Sequence, residues 1–179
     1  IMLQWIKSDI TDELTYFWSG WLGLVSHPIY WFIWTYWFPQ PYESTILRFF
    51  CSALSIPVIL RHHWPEKTKQ FFPAYWFIFL MCQLPITFSY LTLQNDFSGV
   101  WLICETLMVF VVLVFYPNLL LFLSNLLIGA AIAYGLYFFT AGQHVAWHQE
   151  HLMYFLPLPI GVVLTMLFSY TIKQERIKQ

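Results

Sequence analysis

LLLFLSNLLIGAAIAYGLYFFT, Leu119 to Thr140, contains no charged residue. A helix of that length, rising about 1.5 Å per residue, crosses roughly 30 Å of hydrocarbon. The stretch reads as a membrane span. Working outward, Tyr116-Pro117-Asn118 separates it from another apolar run at about Gly99 to Phe115, and Gln94-Asn95-Asp96 separates that run from a third at about Phe71 to Leu93. Beyond the charged loop Arg61 to Gln70 lies a run from about Ser44 to Leu60, and beyond the proline-rich FPQPYE turn one from about Tyr16 to Trp37. On the other side, the polar loop Ala141 to Glu150 leads to a last run at about His151 to Tyr170. The expected fold is all-α: a polytopic membrane protein whose six transmembrane helices form one bundle and one domain, residues 1–179.

The composition agrees. Hydrophobic residues make up 59% of the chain and charged residues 9%, against about 25% charged in soluble domains. Lys7, Arg61, Lys67, Lys69, Lys173, Arg176 and Lys178 lie at the N-terminus, in the second loop or at the C-terminus. By the positive-inside rule those segments are cytoplasmic. Both termini therefore face the cytosol, and FPQPYE, LQND and TAGQHVAWHQE face outward. Trp37, Phe38, Tyr42, Trp101, Trp147 and Tyr170 fall near the interfaces, where amphipathic rings are favoured. A net charge of −1 offers no electrostatic footprint for a nucleic acid. Cys51, Cys82 and Cys104 all lie in apolar stretches, so no disulfide framework is expected.

The chain starts at Ile1 and ends in the polar TIKQERIKQ with no helix stop. That pattern is expected of a piece of a longer protein; no signal peptide is expected. No phosphate-cradling GxxxxGK, GxGxxG, GxSxG or CxxC motif occurs, so this segment is expected to be non-catalytic and to hold no cofactor.

Ionisable groups inside lipid cost about 2.5–3.5 kcal/mol each on insertion scales, which makes them functional candidates. Arg48 and Glu105 each enter from the outer face to a depth of roughly 6–10 Å, within reach of an ion pair. A structural pair and a share in a polar ligand pocket are both open. Trp101, Cys104 and Glu105 share a helix face by spacing and supply a donor, a thiol and an acceptor. That set suits a small polar head such as a ketone beside a hydroxyl, although an interfacial tryptophan beside a helix contact explains the spacing comparably well. His27, mid-span beside Pro28, reads first as a histidine hydrogen-bonded to a neighbouring helix. His144, His148 and His151 would align on one face if their loop were helical, but no metal site is expected there. Pro28, Pro57, Pro85, Pro157 and Pro159 interrupt spans and are expected to kink them.

From Gly20 to Arg48 the sequence GWLGLVSHPIYWFIWTYWFPQPYESTILR, above all FIWTYWFPQPYE, resembles the first two spans of the α-hydroxyketone quorum-sensing histidine kinases of the Cqs and Lqs type. NDFSGVW (Asn95–Trp101) is a second match, FLPLPI a weaker third. The resemblance implies the ligand-sensing domain of a two-component phosphorelay receptor in the bacterial inner membrane, binding a long-chain α-hydroxyketone autoinducer. It also implies a homodimer, a downstream phosphotransfer or response-regulator partner, and kinase domains beyond residue 179 that use ATP and Mg. In that family a tryptophan matching Trp101 and a small polar residue three positions on, here Cys104 in place of serine, read the ligand head. A small residue aligning with Ser169 gates tail length. Trp101, Cys104, Glu105, Arg48 and Ser169 are thus the expected ligand-binding residues. A small multi-pass transporter or membrane enzyme using Arg48, Glu105 and the outer histidines is the alternative, and a ligand-free assembly anchor a third reading.

Overall fold

The computed structural model describes residues 13–116, 118–142, 159–164 and 166–167. All regular structure among them is helical. The chain divides into two compact units, Ile1–Gln83 and Leu84–Gln179.

In the first unit, α1 (Glu13–Phe32) carries Pro28 without interruption and ends in a π-helical turn, Ile33–Trp37. The FPQPYE segment follows, because its two prolines lack the N–H that a helix needs. Helix α2 (Thr45–Leu54) then starts at Ser44, whose hydroxyl accepts the Leu47 N–H at 3.2 Å. It breaks at Ser55, and the short α3 (Ile56–Ile59) carries Pro57 in its first turn, where a missing N–H costs nothing. The break leaves carbonyls to be satisfied. That of Leu54 accepts from the Tyr75 hydroxyl at 2.6 Å, and that of Pro57 from the Trp64 indole at 3.0 Å. A 3₁₀ turn, Arg61–His63, and α4 (Glu66–Lys69) form the charged loop; α5 (Phe72–Met81) follows.

Two glycines let α1 approach α2 and α3. A Cβ at Gly20 would lie 2.9 Å from Ile59 Cγ1, and one at Gly23 would lie 2.5 Å from Ser55 Oγ. Further down, Tyr16 meets Phe72 and Trp76 edge-on at ring separations of 5.1 and 4.7 Å, the geometry that aromatic quadrupoles favour. At the base, the Arg61 guanidinium binds the Glu13 carboxylate and its backbone carbonyl.

A second π-helical turn, Cys82–Ile86, contains Pro85. The expected interruption at Pro85 is thus a change of helix pitch, one of the known ways a helix accommodates an inserted break.

In the second unit, α6 (Thr87–Gln94) ends in a tight turn where Asp96 and Phe97 have φ of +49° and +53°. Helix α7 (Gly99–Phe115) and α8 (Leu119–Ala141) follow. Asn118 caps α8 by accepting from the N–H groups of Leu120 and Leu121 at 3.0 and 3.3 Å. Gly142, at φ +65°, supplies the left-handed C-cap. Helix α6 packs on both α7 and α8. Residues 159–164 and 166–167 are helical, and a Cβ on Gly161 would lie 3.0 Å from the Phe122 ring and 3.2 Å from Val109. This segment therefore rests against both α7 and α8.

Five of the six expected spans coincide with these helices; most of the sixth lies outside the described residues. Phe72–Gln94 and Leu119–Ala141 are long and apolar enough to cross a membrane, while Thr45–Ile59 and Gly99–Phe115 are apolar but shorter. Large apolar side chains such as Ile46, Val114 and Phe139 stand exposed on the helix surfaces.

Candidate functional site

Trp101 occupies the first turn of α7 and is fully buried. Its ring is covered by protein, whereas Trp37 and Phe38 are exposed. The reason is packing: α7 begins immediately after the tight turn at Asp96 and Phe97, and α6 covers its first turns. Thr92 on α6 donates toward the Trp101 carbonyl at 3.4 Å.

One turn on from Trp101, Glu105 points to the same neighbour. Its Oε1 accepts from Ser89 Oγ at 2.7 Å and its Oε2 from Thr92 Oγ1 at 3.4 Å. Ser89 and Thr92 are three apart on α6, hence on one face. The sequence reading missed both, because a lone hydroxyl in an apolar helix ordinarily bonds its own preceding turn. Thr106 does so, to the Leu102 carbonyl at 2.8 Å. The only signal available was their spacing opposite a carboxylate on the next span. No cation lies within 4 Å of Glu105 among the described residues. Cys104, beside it, is half-buried and not in a disulfide. The last turn of α6 is also tied to α8: Gln94 donates to the Thr140 hydroxyl at 2.9 Å, and the Tyr90 hydroxyl, which accepts from Gln94 at 3.0 Å, lies 3.2 Å from the same Thr140 oxygen.

Arg48, buried in the first unit, forms a two-pronged ion pair with Glu43: Nε to Oε1 at 2.9 Å and Nη2 to Oε2 at 3.0 Å. Glu43 Oε1 also accepts the Ser44 N–H at 2.9 Å. The pair ties the start of α2 to the turn before it. Arg48 and Glu105, considered above as mutual partners, thus each have partners within their own unit.

His27 hydrogen-bonds through Nε2 to the Gln83 side-chain carbonyl, as its reading as a histidine bonded to a neighbouring helix anticipates. The Gln83 amide donates to the Cys51 carbonyl at 2.6 Å and to Ser55 Oγ at 3.2 Å, and Ser52 donates to the Leu24 carbonyl at 2.7 Å. Gln83 was not singled out from the sequence; its place in the π-helical turn aims it across to α1 and α2. Ser169 and the outer histidines His144, His148 and His151 lie outside the described residues. No cluster of three or more metal-binding side chains occurs among those described.

No family model matches the chain, and no solved structure matches it. Among curated proteins, 82 residues are 38% identical to the CAI-1 autoinducer sensor kinase/phosphatase CqsS of Vibrio cholerae serotype O1. Over those residues the chain is similar to CqsS. The match covers 46% of this chain and 12% of CqsS, so the chain corresponds to a small part of that protein. The Cqs-type resemblance is thus found again, over part of the chain, by comparison with a known protein. Residues of FIWTYWFPQPYE and NDFSGVW take part in the geometry above: Glu43 in the ion pair, Trp101 in the buried start of α7.

Proposed function

We propose that the chain is the membrane-embedded sensing domain of a quorum-sensing histidine kinase, and that it receives a long-chain α-hydroxyketone. The observation that carries this is the 38% identity to CqsS over 82 residues. In this reading six helices cross the bacterial inner membrane with both ends cytoplasmic. Loop charge supports the orientation, and the exposed apolar helix surfaces support lipid around them.

The ligand head sits beside Trp101, Cys104 and Glu105, with Ser169 near the tail. Arg48 holds the first outer turn in place. An acyl tail of about ten carbons gains roughly 0.8 kcal/mol per buried CH₂ on leaving water, so the tail supplies affinity and the polar groups supply selectivity. Signalling requires that the ligand bind two arrangements of the helices unequally, since equal affinity shifts nothing. The last helix carries that bias toward kinase domains outside these 179 residues, where ATP and Mg would serve phosphotransfer to a response regulator and where dimerisation would be completed.

The test is ligand-dependent phosphorylation of the complete protein in membranes. Trp101→Ala is expected to move the dose response by at least about tenfold, the scale of losing one aromatic anchor or charged hydrogen bond, and Cys104→Ala by less. An unchanged dose response in both would remove the α7 pocket.

A further inference from the structure

Arg61 closes the charged end of the first unit with part of its guanidinium unused. Its side chain is 8% exposed, and Nε and Nη2 go to the Glu13 carboxylate and carbonyl. Nη1 is buried and donates to nothing among the described residues. A charged donor left so is costly until an acceptor oxygen reaches it. The turn that presents it is held firmly. The guanidinium lies 5.8 Å from the centre of the Tyr16 ring, and the Trp64 indole donates to the Pro57 carbonyl while its ring meets Phe72 and Tyr75 edge-on.

Around this donor the charge is positive. Residues 61–70 hold three basic side chains, Arg61, Lys67 and Lys69, against one acidic one, Glu66. His62, His63 and Lys67 are exposed. Lys69 pairs with Glu66, whereas Lys67 has no carboxylate within 4 Å among the described residues. On α1, Phe17 and Trp21 follow Glu13 at four-residue intervals and so share its face. Both are exposed, with their rings 6.4 Å apart. A cationic donor set thus stands at the foot of an exposed aromatic row.

We propose that this end of the first unit binds an anionic glycerophospholipid, its phosphate taken by Arg61, His62 and Lys67 and an acyl chain lying along Phe17 and Trp21. The inference rests on the reading of the chain as membrane-embedded with this loop cytoplasmic. Guanidinium–phosphate bonds are charge-assisted, basic pockets on the cytoplasmic side bind anionic head groups, and aromatic rings suit the interface beside them. The Glu13 side chain is 70% exposed and can turn aside as the phosphate arrives, which opens the guanidinium to it. A lipid fits better than a free phosphate ion, which would leave the aromatic row uncovered. Once bound, it fastens the start of α1 to the loop that precedes α5.

The experiment offers the complete protein, in neutral detergent, equimolar phosphatidylglycerol and phosphatidylcholine with identical acyl chains, and counts the first lipid retained by native mass spectrometry. The wild type is expected to prefer phosphatidylglycerol by about tenfold or more. Lys67→Gln lowers that ratio about fivefold, Arg61→Gln abolishes it, and Glu66→Gln, which removes the loop's own carboxylate, raises it. Lys67 and Glu66 are exposed, so their variants serve if Arg61→Gln does not fold. A merely structural role for the loop would not move the ratio in opposite directions. Equal retention of the two lipids by the wild type, or a ratio that neither Lys67→Gln nor Glu66→Gln changes, overturns the site. Displacement of the lipid by excess glycerol phosphate overturns the lipid assignment in favour of a soluble phosphate. Recovery of the protein from the soluble fraction of cells rather than from membranes overturns the membrane reading itself.

Discussion

Glu43→Ala lowers the free energy of unfolding by about 3–5 kcal/mol, because it removes the two-pronged carboxylate partner of the Arg48 guanidinium, whose side chain is 2% exposed. A buried charge without its partner is among the most expensive defects a fold can carry, far above the ~0–1 kcal/mol of a surface ion pair. The double variant Glu43→Leu with Arg48→Leu removes both charges together. It is expected to cost much less than the sum of the single changes, since a buried pair replaced by apolar side chains is often nearly neutral. Unfolding titrations in mixed micelles measure all three. Equal and additive losses, or a Glu43→Ala protein as stable as the wild type, would show that the pair does not fix the start of α2.

The second large effect is at Gly23. An alanine Cβ there would lie 2.5 Å from Ser55 Oγ and 3.3 Å from the Gln83 amide. Helix α1 must back away or Ser55 must leave the hydrogen bond it receives from Gln83. Overpacking of this kind costs about 1–3 kcal/mol, and Gly23→Leu is expected to prevent assembly of the first unit altogether. Ser55→Ala in the Gly23→Ala background removes the contacted atom and should recover part of the loss. Gly135 is the control: nothing stands within 4 Å of its added Cβ. Gly135→Ala is expected to be neutral or slightly stabilising in the same titration, by a few tenths of a kcal/mol. Equal losses at Gly23 and Gly135 would mean that the close approach of α1 to α2 and α3 is not what holds the unit.

The helices were largely legible in the sequence, because uninterrupted apolar length is a local property. The run Gly99 to Phe115 read from composition is α7 residue for residue, and Leu119 to Thr140 differs from α8 by its last residue alone. What prolines do inside a helix was less legible. Pro28 passes without interruption, Pro57 coincides with a break and Pro85 with a π-helical turn, since the outcome depends on what satisfies the freed carbonyls. The candidate site divides in the same way. Trp101 and Glu105 could be picked out because a carboxylate in an apolar run is conspicuous. Ser89 and Thr92 could not, because their partner lies on the next helix beyond a tight turn. The same holds for Gln83, whose bonds to Cys51, Ser55 and His27 depend on how α1, α2 and the π-helical turn meet.

The most direct test of the chain as a receptor is saturation binding of a radiolabelled long-chain α-hydroxyketone to membranes containing the complete protein, compared with membranes carrying Trp101→Ala. Saturable binding, weakened at least about tenfold by the substitution, is the expected result. Binding that never saturates, or that Trp101→Ala leaves unchanged, would contradict a ligand site at the buried start of α7.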